Sequence, residues 1–236
     1  MNLRQMHGLL VLAPIILVGC ATVQPVPQLT RPESSGLGIA IKLRAPITWF
    51  SKEPDVIYFA KVDEEQDLLQ PQKHQIIQSN YAKDGRVYLL NAPPGTYVAV
   101  AAFLSQAPVL PAAPPGPGVS VSFSIVTGRR GYTTYFPKDV VEQTRIKVGE
   151  RDFAFMGSYV VDQSVGLGEA DPVQTHYSNI IAPGAGRGGL LGQMFSGDYH
   201  YRGTNYEVKN DDQTRNEFFG KAREDLAEGG WAARLK

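Results

Sequence analysis

Residues able to do chemistry are few and scattered in this chain. Beyond the first ten positions its histidines are His74, His176 and His200. No two stand at i+2 or i+4, so no strand or helix supplies a ready-made metal pair. A metal-assisted hydrolytic site would need folding to bring His176 and His200 together with a carboxylate. Ser196 lies in Phe195-Ser196-Gly197, without the Gly-x-Ser-x-Gly elbow that exposes a nucleophile at a strand-to-helix turn. Gly184-Ala185-Gly186-Arg187-Gly188-Gly189 has the spacing of a dinucleotide fingerprint and follows Ile180-Ile181. Yet Pro183 precedes it, Gly192 and Gly197 interrupt any helix after it, and no βαβ unit surrounds it, so it reads as a loop. Glu64, Glu65 and Asp67 lack the spacing of a calcium loop and read as a solvated acidic turn. Arg129-Arg130 has the chemistry to pair with phosphate or carboxylate but reads as an exposed tight turn. The expectation is a chain with no catalytic residue, no metal and no cofactor.

One stretch has the composition of a binding surface. Gly189 to Phe195 places Leu190, Leu191, Met194 and Phe195 among glycines, directly before Tyr199-His200-Tyr201. Exposed, these side chains would seek a protein partner, a membrane surface or sugar rings to stack on. Buried, they would close the folded body. Both readings stand at this point.

The elements that must position these groups are mainly strands. In Gly38 to Arg44, Ile39, Ile41 and Leu43 share one face while Ala40, Lys42 and Arg44 take the other. Val56 to Val62 is apolar on both faces and reads as a central strand; Gln75 to Gln78 is a short one. Gly85 to Asn91 and Val98 to Leu104 follow, then Val119 to Ile125, with serines alternating between apolar residues. Tyr132 to Phe136, Val140 to Val148 and Asp152 to Asp162 complete the set; in the last, Phe153, Phe155, Tyr159 and Val161 are expected on one face, with Gly157 as a gap or bulge. Strands at this spacing predict an antiparallel β-sandwich over residues 36–165. Residues 166–209 form a glycine- and aromatic-rich extension with poor periodicity. Residues 210–236 hold a helix capped by Asn210-Asp211-Asp212, with Phe218, Ala222 and Leu226 on one face beside Phe219. Gly229-Gly230 ends it, and the helix must dock on the sheet through Phe218, Phe219 and Trp231.

Between two of these strands, Ala92-Pro93-Pro94-Gly95-Thr96-Tyr97 predicts a type II turn, with glycine at the position that needs positive φ. Strand, Pro-Pro-Gly, then a strand opening with tyrosine resembles the transthyretin-like and carboxypeptidase-regulatory-like β-sandwich modules, over residues 85–104. The resemblance implies a transthyretin-like or immunoglobulin-like sandwich for the body. Residues 105–118 carry five prolines and read as a stiff connection.

The N-terminus supplies the location. A polar start with Arg4 leads into an apolar run from Gly8 to Val18, shorter than the roughly 20 residues a spanning helix needs. Leu17-Val18-Gly19-Cys20 resembles the lipobox of bacterial lipoproteins, in which the cysteine becomes the acylated first residue of the mature chain. The resemblance implies that residues 1–19 are a signal peptide and that Cys20 carries acyl chains. With Ala21 next, it also implies delivery to the outer membrane, on a face the motif does not specify. Two or more acyl chains hold a protein stably at a bilayer where one does not. Cys20 is the only cysteine, so no internal disulfide and no multi-cysteine zinc site can form. Without residues 1–19 the chain has 22 basic and 23 acidic residues, a balance that gives no long-range attraction to nucleic acid. Residues 20–35, with Pro25, Pro27 and Pro32, read as a flexible tether holding the body clear of the bilayer. Together these point to a lipid-anchored, non-catalytic binding or assembly module, met by an envelope protein or glycan. An envelope hydrolase using His176 and His200, or a glycan-binding protein using Tyr199 and Tyr201, are the alternatives.

Overall fold

The computed structural model describes residues 24–45, 51–62, 68, 75–106, 130–164, 171–184, 193 and 196–235. The lipobox with Cys20, the expected strand at 119–125, His74, Arg129 and the Glu64-Glu65-Asp67 turn lie outside them.

The body is mainly β. Its strands are β1 (Ser35–Arg44), β2 (Ser51–Lys52), β3 (Val56–Val62), β4 (Gln75–Gln78), β5 (Tyr81–Lys83), β6 (Arg86–Ala92), β7 (Gly95–Gln106), β8 (Arg130–Tyr135), β9 (Ile146–Val148), β10 (Phe153–Ser164) and β11 (Asp198–Lys209). The helices are α1 (Lys138–Gln143), α2 (Pro172–Ile181) and α3 (Asp212–Asp225). One ladder runs β4-β3-β7-β8-β11-β10-β1-β6-β5, with β2 on the end of β1 and β9 on the start of β7. Two of its junctions, β8 with β11 and β10 with β1, are parallel, where the sequence led to wholly antiparallel pairing.

The ladder's two edges are one continuous stretch of chain. β4 and β5 are joined by Ser79-Asn80, whose amides bond to opposite ends of the path: Ser79 N to Ile57 O on β3 at 2.8 Å, and Asn80 N to Tyr88 O on β6 at 3.0 Å. The Asn80 side chain also accepts from Leu90 N and donates to Leu90 O. The mixed sheet therefore curls until its edges meet, which leaves neither edge open to another chain there.

Alternation decides what the curl encloses. On β1, Leu37, Ile39, Ile41 and Leu43 are buried in the inner core with Ile57 and Phe59 of β3, Val98 and Val100 of β7 and Val87 and Leu89 of β6. The opposite, outer face of β1 is small (Gly36, Gly38, Ala40), because α3 lies across it. There Phe218, Phe219, Ala222, Leu226 and Trp231 pack on Tyr88, Leu90, Phe153 and Phe155. A helix of 14 residues is marginal alone. Burial contributes about 1.5–3 kcal/mol for each large apolar side chain, so docking is what makes it persist.

Several expectations are corrected. Val140 to Val148 is not a continuous strand: Pro137 opens α1, which buries Val140 and Val141, and Thr144 Oγ1 ends it by donating to Val141 O. Pro93-Pro94-Gly95 closes no type II turn. Gly95 has φ +154°, far from the roughly +80° of that turn, and β6 and β7 pair with different neighbours. In β10, Phe153 and Phe155 face outward to α3 whereas Tyr159 and Val161 face the inner core. Gly157, at φ +116°, lies at the register shift between Phe155 and Ser158, and one extra residue switches every later side chain to the other face. The described residues of 166–209 are no appendage: β11 stands in the middle of the ladder, and α2 buries Val173 and Tyr177 in the inner core.

Residues 24–34 do not hang free. Gln24 Nε2 donates to Asn80 O, Leu29 N to Gly229 O, Asn91 Nδ2 to Gln28 O and Trp231 Nε1 to Pro27 O, at 2.8–3.1 Å. Val26 and Leu29 pack on the outer cluster. The segment is a strap laid over the C-terminal turns, where the prolines alone had suggested a tether.

Candidate functional site

Two surface regions gather side chains with binding character. The first is a row of tyrosines where β8 meets β11. Parallel pairing sets Tyr132 opposite Tyr199, and their rings stack at 5.1 Å with planes 13° apart. Tyr201, two residues on, stacks with Tyr132 at 6.1 Å. All three stand on the face of buried Thr134, to which Gln163 Nε2 donates at 2.8 Å. Gln163 is two residues beyond Val161 of the inner core, so the row lies on the inward face at the start of β8. Each tyrosine is half-buried. Burial pushes the Tyr201 hydroxyl up, so it is a neutral donor at ordinary pH.

The strand period sends His200 to the other face. Its ring stacks on Tyr135 at 5.9 Å, and Tyr135 Oη lies 3.0 Å from His200 Nδ1. Burial pushes the Tyr135 hydroxyl well up, so it stays protonated, and the tautomer of His200 sets which of the two groups donates. Burial also lowers the His200 pKa, with Asp198 opposing, and His200 is accordingly neutral. Tyr199, His200 and Tyr201 thus form two sites back to back, and the sequence reading missed Tyr132, the residue that joins two of them. Its adjacency to Tyr199 comes from a pairing 67 positions apart in the chain, which no local pattern encodes.

Leu190, Leu191, Met194 and Phe195 lie outside the described residues. Gln193 does not: its Oε1 accepts from His200 N at 3.2 Å. His176 is on α2 beside Tyr177, with its pKa lowered by burial. Ser196 Oγ bonds within its own turn, to Gln193 O. Gly184 follows α2 in a turn, and the remainder of its glycine run is outside the described residues. Arg130 is exposed at the start of β8. Among the described residues, no group of three or more His, Cys, Asp or Glu is placed to hold a metal ion.

The second region is a groove of about 390 Å³ beside the first half of α3, floored by Phe155 and Phe218. Lys42, Lys209, Glu53 and Glu217 line it with both signs of charge. Its volume falls in the range of small-molecule pockets, about 300–1,000 Å³. At the far end of α3, Asp225 is the only buried charged side chain among the described residues. Arg86 Nε reaches it at 2.6 Å and Tyr88 Oη at 2.7 Å. Burial alone would raise the Asp225 pKa; the hydrogen bonds from Arg86 and Tyr88 outweigh it and hold the carboxyl below its ordinary range. With every oxygen engaged in holding α3 to β6, this cluster is an anchor for the helix. Comparison with protein-family models, curated proteins and solved structures finds no match for this chain.

Proposed function

We propose that this chain is a lipid-anchored protein of the bacterial outer membrane whose curled sheet serves as a non-catalytic binding or assembly module. The observation that carries the reading is Leu17-Val18-Gly19-Cys20 at the end of a short apolar run, with Cys20 the only thiol in the chain. Among the described residues no helix is long and apolar enough to cross a membrane. A transthyretin-like or immunoglobulin-like relation of the body is supported by the strand–Pro93-Pro94-Gly95–strand order alone, and the parallel β8–β11 and β10–β1 junctions depart from a wholly antiparallel sandwich. Expression of the full chain with labelled palmitate tests the anchor. Label should enter the wild type and be absent from Cys20→Ser, which should also leave the membrane fraction; label or membrane retention in Cys20→Ser sinks the reading.

A glycan is the partner class favoured by the Tyr132-Tyr199-Tyr201 row, since near-parallel half-buried rings with a hydroxyl on each offer both apolar contact and hydrogen bonds to a sugar. Retention on peptidoglycan or lipopolysaccharide should fall in Tyr199→Ala and in Tyr132→Ala. Unchanged retention in both variants removes the row from any glycan site.

A further inference from the structure

The strap changes what a lipid on Cys20 would do to the body. Gln24 is held to Asn80, and from Cys20 to Gln24 there are four residue steps. At no more than about 3.6 Å per residue, those steps span at most about 14 Å. Were residues 20–35 free, the same anchor would allow roughly 50 Å of stand-off. The strap is fastened along its length by Val26 and Leu29 in the outer cluster, Asn91 on Gln28 and Thr30, and Trp231 on Pro27.

We propose that the strap holds the body against the lipid surface in one orientation, with the seam at Ser79-Asn80 and the end of β6 at Asn91 toward the headgroups. This rests on the acylation of Cys20 proposed above. Composition of the apposed face agrees with a lipid partner. Gln24–Thr30, Gln75–Ala82 and Asn91–Gly95 contain no charged residue, in a chain where 19% of residues are charged. Such a face meets phosphate headgroups without repulsion, and no carboxylate must be desolvated there. Lys83 and Glu228, which both act on Tyr81, flank it with opposite signs. The tyrosine row of β8 and β11 lies several strands from the seam along the ladder, so this orientation does not require it to meet the headgroups.

The sole native thiol is consumed by acylation, so one introduced cysteine is a unique labelling site. The acylated protein carrying a fluorophore at Gln78→Cys, Pro94→Cys or Thr204→Cys is placed in vesicles of phosphatidylethanolamine and phosphatidylglycerol containing a headgroup-spin-labelled lipid. Quenching should be severalfold stronger at positions 78 and 94 than at 204. An insert of about twelve Gly/Ser residues before Gln24 should abolish the difference by lengthening the link. Equal quenching at all three positions of verified acylated protein overturns the orientation while leaving the anchor intact. Failure of acylation itself overturns the reading beneath it.

Discussion

Tyr88 on β6 and Asp225 at the last turn of α3 meet hydroxyl to carboxylate at 2.7 Å, with Arg86 two positions along the same strand closing on the same oxygen at 2.6 Å. The strand alternation that sends Val87 and Leu89 inward presents Arg86 and Tyr88 together to the helix. Removing one partner of a buried ion pair leaves an uncompensated charge and costs about 3–5 kcal/mol. Arg86→Met should therefore destabilise the protein by about 3 kcal/mol in urea unfolding, since Lys83, at 3.5 Å from Asp225, screens part of the orphaned charge. A loss below about 1 kcal/mol would show that the cluster does not anchor the helix.

Acid should act through the same carboxylate. Its pKa in the folded protein lies below the ordinary 3.8, so the stability it contributes is complete above that value. It is lost as pH falls from there through the lowered value. Asp225→Asn should lower stability at neutral pH and flatten the acid limb in that window. An unaltered acid limb in the variant would assign the acid sensitivity to other groups.

Gly38 stands under α3 because nothing larger fits. A Cβ there would lie 2.5 Å from Phe218 Cζ and 3.0 Å from Tyr88 Cδ1, and Phe218 is already stacked on Phe155 at 4.3 Å. Overpacking of this kind costs about 1–3 kcal/mol, which Gly38→Ala should show as a lowered denaturation midpoint. Adding Phe218→Leu should recover part of the loss, giving non-additivity between the two sites. Strict additivity would mean that the ring is not what excludes the side chain.

His200 and His176 predict a second pH dependence of opposite placement. Burial lowers both folded pKa values below the ordinary 6.5, so the unfolded chain takes up protons first. Stability should be unaffected by these groups above that value and fall as pH drops below it, until the folded imidazoles titrate. In the protonated imidazole Nδ1 can only donate, so the Tyr135 hydroxyl oxygen must then accept. Between about pH 7.5 and about pH 5, His200→Gln should lose less stability than the wild type, and a two-dimensional NMR titration should show the imidazole still neutral below pH 6.5. A His200 that titrates at or above 6.5 contradicts this.

Local pattern carried the strands marked by alternating or continuous apolar residues. β1 shows its inward residues Ile39, Ile41 and Leu43 plainly, β3 is legible as a central strand from its apolar run, and the C-terminal helix is legible from its cap, its i, i+4, i+8 apolar positions and Gly229-Gly230. What failed has a common physical cause. Gly157 shifts the phase of β10, so residues of equal parity end on opposite faces. β11 was hidden because most of its side chains are half-buried or exposed on both faces, with no alternation of apolar and polar residues; Tyr206, on this strand, is 57% exposed. The tyrosine row depends on a parallel pairing between distant segments. The proline-rich strap looked free because its bonds are made by backbone carbonyls and by Asn91 and Trp231, none of which is adjacent in sequence.

That strap is testable apart from any membrane. Leu29 N donates to Gly229 O at 3.0 Å, and Trp231 Nε1 donates to Pro27 O at 2.8 Å, so two backbone groups of the strap depend on the turn that ends α3. Gly229 leaves room for them: a Cβ there would fall 2.7 Å from Val26 Cγ1 and 3.0 Å from Pro27 O. Gly229→Ala should push the strap off its seat while α3, held by Phe218, Phe219 and Asp225, stays in place. Trp231→Phe should loosen the strap more mildly, because one hydrogen bond contributes about 0.5–1.5 kcal/mol net. Hydrogen exchange on the soluble chain from residue 21 reads both outcomes. The Leu29 amide should be protected in the wild type, lose roughly tenfold of that protection in Trp231→Phe and nearly all of it in Gly229→Ala, with the amides of α3 unchanged. A wild-type Leu29 amide that exchanges as fast as an unfolded peptide would return residues 24–34 to a tether, and the body would then be free to swing beneath its anchor.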